Sequence, residues 1–232
     1  MSCISDNIEY IREEVALLCA RNRIKNSVKL CAATKMRTVE EINAAVKAGV
    51  DCIGENKVQE ARDKYPYVTE SVQKHFIGHL QTNKVKYCPV LFDCIQSVDS
   101  IAILEALEKS AEANQKRMTY MIEVNISGEE SKFGVSPQRL EPFFEHASTL
   151  RYMKLIGFMT MLPLSDDVQQ LRRHADMMYT LFEHSKRFNN TMIEISELSM
   201  GMSQDYAMCI EAGSTMVRIG TKIFGERQAM HS

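Results

Sequence analysis

The chain has 232 residues, of which 45% are hydrophobic and 25% are charged, and its formal net charge is −2 at pH 7. This length suits one α/β barrel, so we expect a single domain over residues 1–232. The charge predicts no basic surface for nucleic acid, so we expect the partner to be a small molecule. No apolar stretch reaches the ~20 residues of a membrane helix, and the acidic N-terminal segment is unlike a signal peptide. We therefore expect a cytoplasmic protein.

The elements begin with a helix over residues 5–26, and from about residue 29 short β-rich runs alternate with helical patterns. Such alternation is typical of βα units, and eight strands suggest a closed barrel. We therefore predict a single (β/α)8 barrel of the TIM type with an extra N-terminal helix. The predicted strands are Leu30–Thr34, Cys52–Gly54, His75–Gly78, Cys94–Val98, Thr119–Asn125, Lys154–Phe158, Glu197–Met200 and Thr215–Ile219.

Capping signals mark several of the helices between these strands. Thr38 and Glu41 have the spacing of a capping box, and Ser136 precedes a proline, which suits a first helical position. Gly213 is expected to end a helix over Ser203–Ala212, because glycine accepts the left-handed conformation found there. One apolar stripe at helical spacing is predicted to pack on the barrel wall, namely Val168, Leu171, Met178, Leu181 and Phe182.

Neither the cysteines nor the histidines predict a metal or disulfide framework. The seven cysteines include no C-x-x-C pair, and an odd number with irregular spacing is best interpreted as buried thiols. His75 and His79 flank the third predicted strand, but no third ligand stands at metal-binding spacing. We therefore expect no metal site.

The first strand ends in a lysine that can carry chemistry. Period-two alternation puts Cys31 and Lys35 on one face and Leu30 on the other, so Lys35 faces the barrel interior if Leu30 faces the helices. The active site of such barrels lies at the carboxyl ends of the strands. An amine removed from water loses its proton more easily and can form a Schiff base with an aldehyde. The alternative is a lysine whose head lies in water at the strand end.

The eighth strand places an arginine on the inner face. Val217 and Ile219 share the outer face, whereas Arg218 points inward, which is costly unless a group accepts its hydrogen bonds. Gly220 and Thr221 follow at once, in the region where such barrels usually hold a phosphate.

The loop after the seventh strand offers a second set of phosphate donors. Residues 199–203 supply two hydroxyls, a glycine and a helix N-terminus that we expect Ser203 to cap. Together with Lys35 and Arg218, these groups suit an aldehyde that carries a phosphate.

Several ordered segments resemble a known family. ELSMGMSQDY at 197–206, GSTMVRIGTKIFGER at 213–227, GENKVQEAR at 54–62, HFIGHLQTNKVK at 75–86 and VNISGEESKFGV at 124–135 resemble the pyridoxal phosphate homeostasis proteins. These segments span nearly the whole chain in the right order. The family is similar to the barrel domain of alanine racemase (PLP-dependent fold type III) without the C-terminal β domain, and its members bind pyridoxal 5′-phosphate (PLP).

The resemblance assigns roles to individual residues. It implies that Lys35 is the Schiff-base lysine, that Arg218 lies beside the pyridine nitrogen, and that Asn56 lies near the phenolic edge of the ring. The implied phosphate contacts are Gly220, Thr221, and Ser199 or its neighbours.

Two features near the fifth strand keep alternative interpretations. Glu123 and Asn125 share a face of this strand and either line the barrel or cap its polar contents. The segment that follows, residues 129–132, either covers the site or is a solvated loop.

The predicted constellation favours a carrier over an enzyme. PLP draws electrons best when its pyridine nitrogen is protonated, and a permanently charged Arg218 disfavours that proton. Racemisation also needs acid/base groups on both faces of the substrate, whereas Lys35 supplies one. In the racemases that this barrel resembles, a tyrosine from an extra domain supplies the other, and only eleven residues follow Thr221, so we expect no such domain here.

We therefore expect a monomeric PLP-binding protein of vitamin B6 homeostasis, without efficient turnover, that releases PLP to apo-enzymes or otherwise balances the cofactor pool. The first alternative is a stand-alone PLP-dependent racemase of a small amino acid. The second is a class I aldolase-like barrel that uses Lys35 without PLP, against which Arg218 beside Gly220 argues.

Overall fold

The computed structural model of the chain describes residues 3–22, 24, 27–129 and 132–226. Eight parallel strands pair in sequence order, and the first pairs with the last to close a barrel. The predicted architecture is thereby confirmed. The strands are β1 Lys29–Ala33, β2 Cys52–Glu55, β3 Gln73–Phe76, β4 Cys94–Val98, β5 Met118–Glu123, β6 Met153–Met159, β7 Ile193–Ser199 and β8 Met216–Ile219.

The helices lie outside the barrel and connect successive strands. An additional helix precedes β1, as predicted, but it ends at Arg21, and residues 23, 25 and 26 of the predicted span lie outside the described residues. No helix in the described ranges has the length and apolar character needed to cross a membrane. The helices are α1 Ile4–Arg21, α2 Val39–Lys47, α3 Val58–Lys64, α4 Cys88–Leu91, α5 Ile101–Ala113, α6 Glu141–Ala147, α7 Val168–Ser185, α8 Tyr206–Glu211 and α9 Thr221–Phe224.

The two faces of the strands belong to two separate apolar clusters. Leu30 and Ala32 of β1 are buried in the larger cluster beneath the helices, whereas Cys31 points into the barrel. The inner cluster consists mainly of sulfur-containing side chains: Cys31, Cys52, Cys94, Met121, Met159 and Met216. The inward orientation predicted for this face of β1 is confirmed, and it continues toward Lys35. Five of the seven cysteines are buried, but Cys3 is exposed and Cys19 is half-buried, so the prediction of buried thiols is wrong for Cys3.

The capping predictions are only partly confirmed. Thr38 and Glu41 form a reciprocal capping box, and Gly213 follows α8 with a φ of 109°. Ser136 makes no capping bond, because the proline after it opens a single 3-10 turn and α6 begins only at Glu141. Ser203 does not cap α8 either, since that helix begins three residues later, at Tyr206.

The predicted stripe on α7 is also only partly correct. Met178 and Phe182 are buried and Leu171 and Leu181 are half-buried, but Val168 is 67% exposed. Val168 opens the helix at the carboxyl-terminal mouth of the barrel, beyond the wall against which the later turns pack, and it borders a cavity there.

Candidate functional site

A cavity of about 800 Å³ opens at the carboxyl ends of the strands. Its volume falls in the range of small-molecule sites. Segments that follow β1, β2, β3, β6, β7 and β8 line it, so residues far apart in the sequence meet there. Five of the six residues predicted to bind a cofactor are among those that line it: Lys35, Asn56, Arg218, Gly220 and Thr221.

Lys35 lies in a tight turn directly after β1. The turn is closed by a hydrogen bond of 3.0 Å from the Arg37 N–H to the carbonyl of Thr34. Met36, at its third position, has a φ of 60°, which non-glycine residues seldom adopt. Lys35 is half-buried, and its amine has no hydrogen bond or ion pair to any part of the chain that the structure describes. The amine is therefore available to a ligand in the cavity.

A cluster of charged side chains around the buried Glu55 holds this turn in place. The Lys64 ammonium donates to the Thr34 carbonyl at 3.1 Å, to the fully buried Glu55 at 3.0 Å and to Glu60 at 2.8 Å. Glu60 also accepts the Met36 N–H at 2.9 Å. Burial acts to raise the pKa of Glu60, but the hydrogen bonds from Lys64 and Met36 outweigh it and lower the pKa. The ionised carboxylate thus fixes the left-handed residue beside Lys35.

Arg37 connects the same turn to α9. Its buried guanidinium donates to the carbonyl of Phe224 at 3.2 Å and to that of Gly225, and it lies 5.3 Å from the centre of the Phe224 ring. Because α9 begins at Thr221, this contact couples the position of Lys35 to the predicted phosphate segment.

Arg218 is buried beneath the cavity and held by three hydrogen bonds. Its Nη1 donates to the carbonyl and hydroxyl of Ser199 at 2.8 and 2.6 Å, and its Nη2 donates to the Thr160 carbonyl at 2.9 Å. Burial lowers the pKa of Arg218, but a guanidinium stays charged in proteins. Three of its five N–H groups are used in these bonds, which leaves two without an acceptor in the described residues.

Ser199 does not line the cavity. It is fully buried, and its hydroxyl accepts from Arg218 and donates to Gln96 at 2.7 Å. Its hydroxyl bonds are directed at protein groups, and the phosphate contact expected of Ser199 or its neighbours stays a prediction. Its neighbour Ser203 borders the cavity instead, where its hydroxyl accepts the Lys222 N–H at 3.4 Å.

The segment after β8 presents backbone donors to the cavity. Gly220 is the N-cap of α9, and the amide of Thr221, in the first helical position, has no acceptor within the helix. A Cβ on Gly220 would meet only Ala33, at 3.6 Å, so packing does not by itself require glycine there. Open space above this backbone suits the close approach of an anion.

Two buried groups near Arg218 were not identified as site residues from the sequence. His75 and Gln96 lie on the inner faces of β3 and β4, and burial lowers the pKa of His75 to about 4. Alternation along β3 could have indicated that His75 points inward, but no sequence signal reveals its contact with Gln96.

The structure places Glu123 and Asn125, at the end of β5, in different surroundings. Glu123 lies inside the barrel, where burial and the nearby Asp99 raise its pKa to about 7 while Arg218 acts to lower it. Asn125 instead donates to the Glu129 carbonyl at 2.8 Å and so holds its own loop. The role predicted for that loop falls partly on residues 130 and 131, which lie outside the described residues.

No cluster of three metal-ligating side chains occurs within the described ranges. His79 pairs with Asp99 at 3.2 Å and stacks on Phe133, with the ring centres 3.7 Å apart. The cavity therefore combines an unpartnered amine, a buried guanidinium and backbone amides, which together suit a phosphorylated aldehyde.

The chain is similar to several characterised proteins. The family of alanine racemase N-terminal domains matches residues 8–228. A pyridoxal phosphate homeostasis protein of Haemophilus influenzae is 36% identical over 228 residues, which cover 97% of this chain and 96% of that protein. The protein of the same name from Escherichia coli is 33% identical over 233 residues, or 98% of each chain.

Solved structures give the same result. The structure of PipY from Synechococcus elongatus with PLP bound is 29% identical, covers 93% of this chain and all of PipY, and has a TM-score of 0.80. An alanine racemase of Clostridium difficile is 14% identical and has a TM-score of 0.71, over 97% of this chain but 58% of the racemase. At that identity the racemase shows the fold alone.

Proposed function

Because this chain belongs to the alanine racemase N-terminal domain family and, within it, to the pyridoxal phosphate homeostasis proteins, we propose that it binds PLP reversibly and contributes to the balance of the cofactor. The observation that carries the proposal is the cavity in which an unpartnered Lys35 amine and a buried Arg218 with two unused N–H groups meet. PLP brings an aldehyde that captures amines and a ring that can withdraw electrons.

Lys35 is the residue that holds the aldehyde. Its amine would be the nucleophile toward the aldehyde of PLP, and the covalent bond between them would be reversible by water. The same residue would therefore permit both retention and release of the cofactor. The turn fixed by Glu60 and Lys64 keeps the amine in place before the cofactor arrives.

The phosphate is assigned to the segment after β8. The amides of Gly220 and Thr221 and the Thr221 hydroxyl supply donors, and Ser203 takes the part first expected of Ser199. Asn56 borders the cavity after β2, where its amide can meet the phenolic oxygen of the ring.

Arg218 limits the chemistry. It is a donor without an acceptor atom, so it can hydrogen-bond a pyridine nitrogen only when that nitrogen carries no proton. An unprotonated ring is a weaker electron sink, which disfavours racemisation. The cavity is also lined by Asp166, Asp205 and Lys222, so what disfavours turnover is the weak electron sink and not a lack of acid/base groups. These features support a carrier without efficient turnover, which passes PLP to apo-enzymes.

The test is reduction of the PLP-loaded protein with borohydride, followed by peptide mapping. We expect one adduct, on Lys35, with loss of the visible absorption band in Lys35→Ala but not in the control Lys57→Ala, which removes an exposed lysine. An adduct elsewhere, or an unchanged spectrum in Lys35→Ala, would contradict the assignment.

A second measurement separates the carrier from the racemase. After incubation of the loaded protein with L-alanine or L-serine, chiral chromatography should detect no D-isomer at rates near the ~1–10³ s⁻¹ of dedicated enzymes. D-isomer formation that disappears in Lys35→Ala would establish the racemase instead.

A further inference from the structure

Four buried polar side chains form a continuous chain of hydrogen bonds across the barrel interior. Arg218 contacts Ser199 at 2.6 Å, Ser199 contacts Gln96 at 2.7 Å, and Gln96 contacts His75 at 2.8 Å. They come from β8, β7, β4 and β3, and each is at least 95% buried. This chain, here called the relay, ends on Arg218 directly beneath the ligand cavity.

The chemistry of the first member fixes the direction of every bond in the relay. A guanidinium has no acceptor, so the Ser199 oxygen accepts and its hydrogen goes to Gln96 Oε1. The Gln96 amide nitrogen then donates one hydrogen to His75 Nδ1 and the other to Met216 Sδ at 3.2 Å. His75 must accept at Nδ1, so it is neutral and carries its proton on Nε2.

Of the three hydrogen bonds of Arg218, the relay supplies the one made to a side chain. The other two bonds of the guanidinium go to backbone carbonyls of Ser199 and Thr160, which no substitution removes. Among buried groups, a fully connected network holds its members in one arrangement, and the loss of one link loosens the rest.

We propose that Gln96 is a positioning residue of the ligand site: through Ser199 it holds the Arg218 guanidinium in the orientation that presents its unused N–H groups to the cavity. Gln96 does not line the cavity, so it acts on the ligand only through Arg218. The statement about the ligand rests on the proposed function, whereas the statement about Arg218 does not.

The first measurement needs no ligand. In ¹⁵N NMR of the full chain, the Nη protons of Arg218, assigned by their absence in Arg218→Lys, should be resolved because rotation of the guanidinium is restricted. The charged groups of the protein that act on His75 are Asp93 and Lys29. At pH 7 the His75 side chain should be in the neutral form that carries its proton on Nε2.

Two substitutions of Gln96 separate the links. Gln96→Leu removes the bonds of Gln96 to Ser199, His75 and Met216, so the Arg218 Nη signals should broaden while His75 stays neutral. Gln96→Glu keeps the acceptor for Ser199 but sets a carboxyl oxygen against His75 Nδ1, so Arg218 should stay ordered while His75 becomes protonated. Ser199→Ala breaks the relay at its bond to Arg218 with the loss of one atom, and it replaces Gln96→Leu if that variant does not fold. The matched control is Gln73→Leu, on the exposed start of β3.

The second measurement adds PLP. Gln96→Leu and Ser199→Ala should raise its dissociation constant roughly three- to tenfold and shift its visible absorption, since each interrupts the side-chain support of Arg218. Unchanged Arg218 signals in both variants would overturn the proposal, whether or not PLP binds. Altered Arg218 signals in a protein that does not bind PLP would leave the relay standing and overturn the proposed function. Binding and absorption identical to the parent, despite a mobile Arg218, would show that Gln96 does not position the ligand.

Discussion

The orientation of Lys35 and of Arg218 depends on the residues that contact them. Lys35 is presented to the cavity by Met36, whose left-handed backbone costs roughly 1 kcal/mol and is held by the Glu60 carboxylate. Arg218 donates three hydrogen bonds to the protein and keeps two N–H groups without an acceptor in the described residues. The assignment of PLP contacts to these two residues stays a prediction, and the geometry supports it by leaving their donors unused.

Glu123 gives a prediction at the residue scale. Its pKa rises from 4.5 to about 7 in the folded chain, mainly through burial. Below pH 4.5 the carboxyl is protonated in both the folded and the unfolded chain, and burial carries no charge penalty. As the pH rises toward 7 the unfolded chain loses the proton first, so stability falls. Glu123→Gln should therefore increase the free energy of unfolding by up to about 3 kcal/mol above pH 7, and change it little at pH 4.

Urea unfolding at pH 4, 6 and 8 measures this difference between the variant and the parent. Burial lowers the pKa of His75 to about 4, so His75 contributes the opposite slope between pH 6.5 and 4, but it does so equally in both proteins. Glu112→Gln, on the exposed side of α5, serves as the control. A gain in stability that is the same at all three pH values would contradict the buried, ionisable carboxyl.

At the scale of elements, the site depends on the way α9 is tied to the turn after β1. Both flank the cavity, and Arg37 joins them through two backbone carbonyls and the Phe224 ring. The far side of α9 is held by α1, since Asn7 donates to the Ile223 carbonyl at 2.8 Å. The extra N-terminal helix therefore supports the segment proposed to bind the phosphate as well as the outer wall.

Arg37→Met tests this coupling. It should lower the free energy of unfolding by about 2 kcal/mol, because the bonds of a buried charged donor to two backbone carbonyls and to Glu41 are lost, and it should also speed the loss of PLP during dialysis. Arg62→Met on α3 removes an exposed guanidinium and should do neither. If Arg37→Met retains PLP as well as the parent, α9 does not depend on this contact for its position.

At the scale of the whole molecule, closure of the barrel brings the site together. Between β6 and β7 the pairing passes through an irregularity at Gly157, which has a φ of 152° and lies opposite Glu197. This local distortion lets β6 close on its neighbour while its end carries Thr160 to Arg218. The monomeric state and the release of PLP to apo-enzymes, which also concern the whole molecule, stay predictions.

Gly157→Ala is expected to break this closure. A Cβ there would lie 1.8 Å from the Glu197 carbonyl oxygen, which no rotamer can relieve, so the strands must separate. The free energy of unfolding should fall by more than about 3 kcal/mol in thermal or urea denaturation. Gly220→Ala, whose Cβ would meet only Ala33 at 3.6 Å, should change it by less than about 1 kcal/mol. Equal effects of the two substitutions would be inconsistent with the described pairing.

The order of strands and helices, the inward face of β1 and β8, and the choice of Lys35 and Arg218 could be predicted from the sequence, because alternation and capping are local and because the family segments are contiguous. The remaining contacts of the site depend on closure of the barrel. Ser199, Gln96 and His75 are between 21 and 124 positions apart, so no local pattern could show that the Ser199 hydroxyl bonds to Gln96 and Arg218. The pKa of Glu123 likewise depends on removal from water and on Asp99 and Arg218, which become its neighbours only when the strands meet.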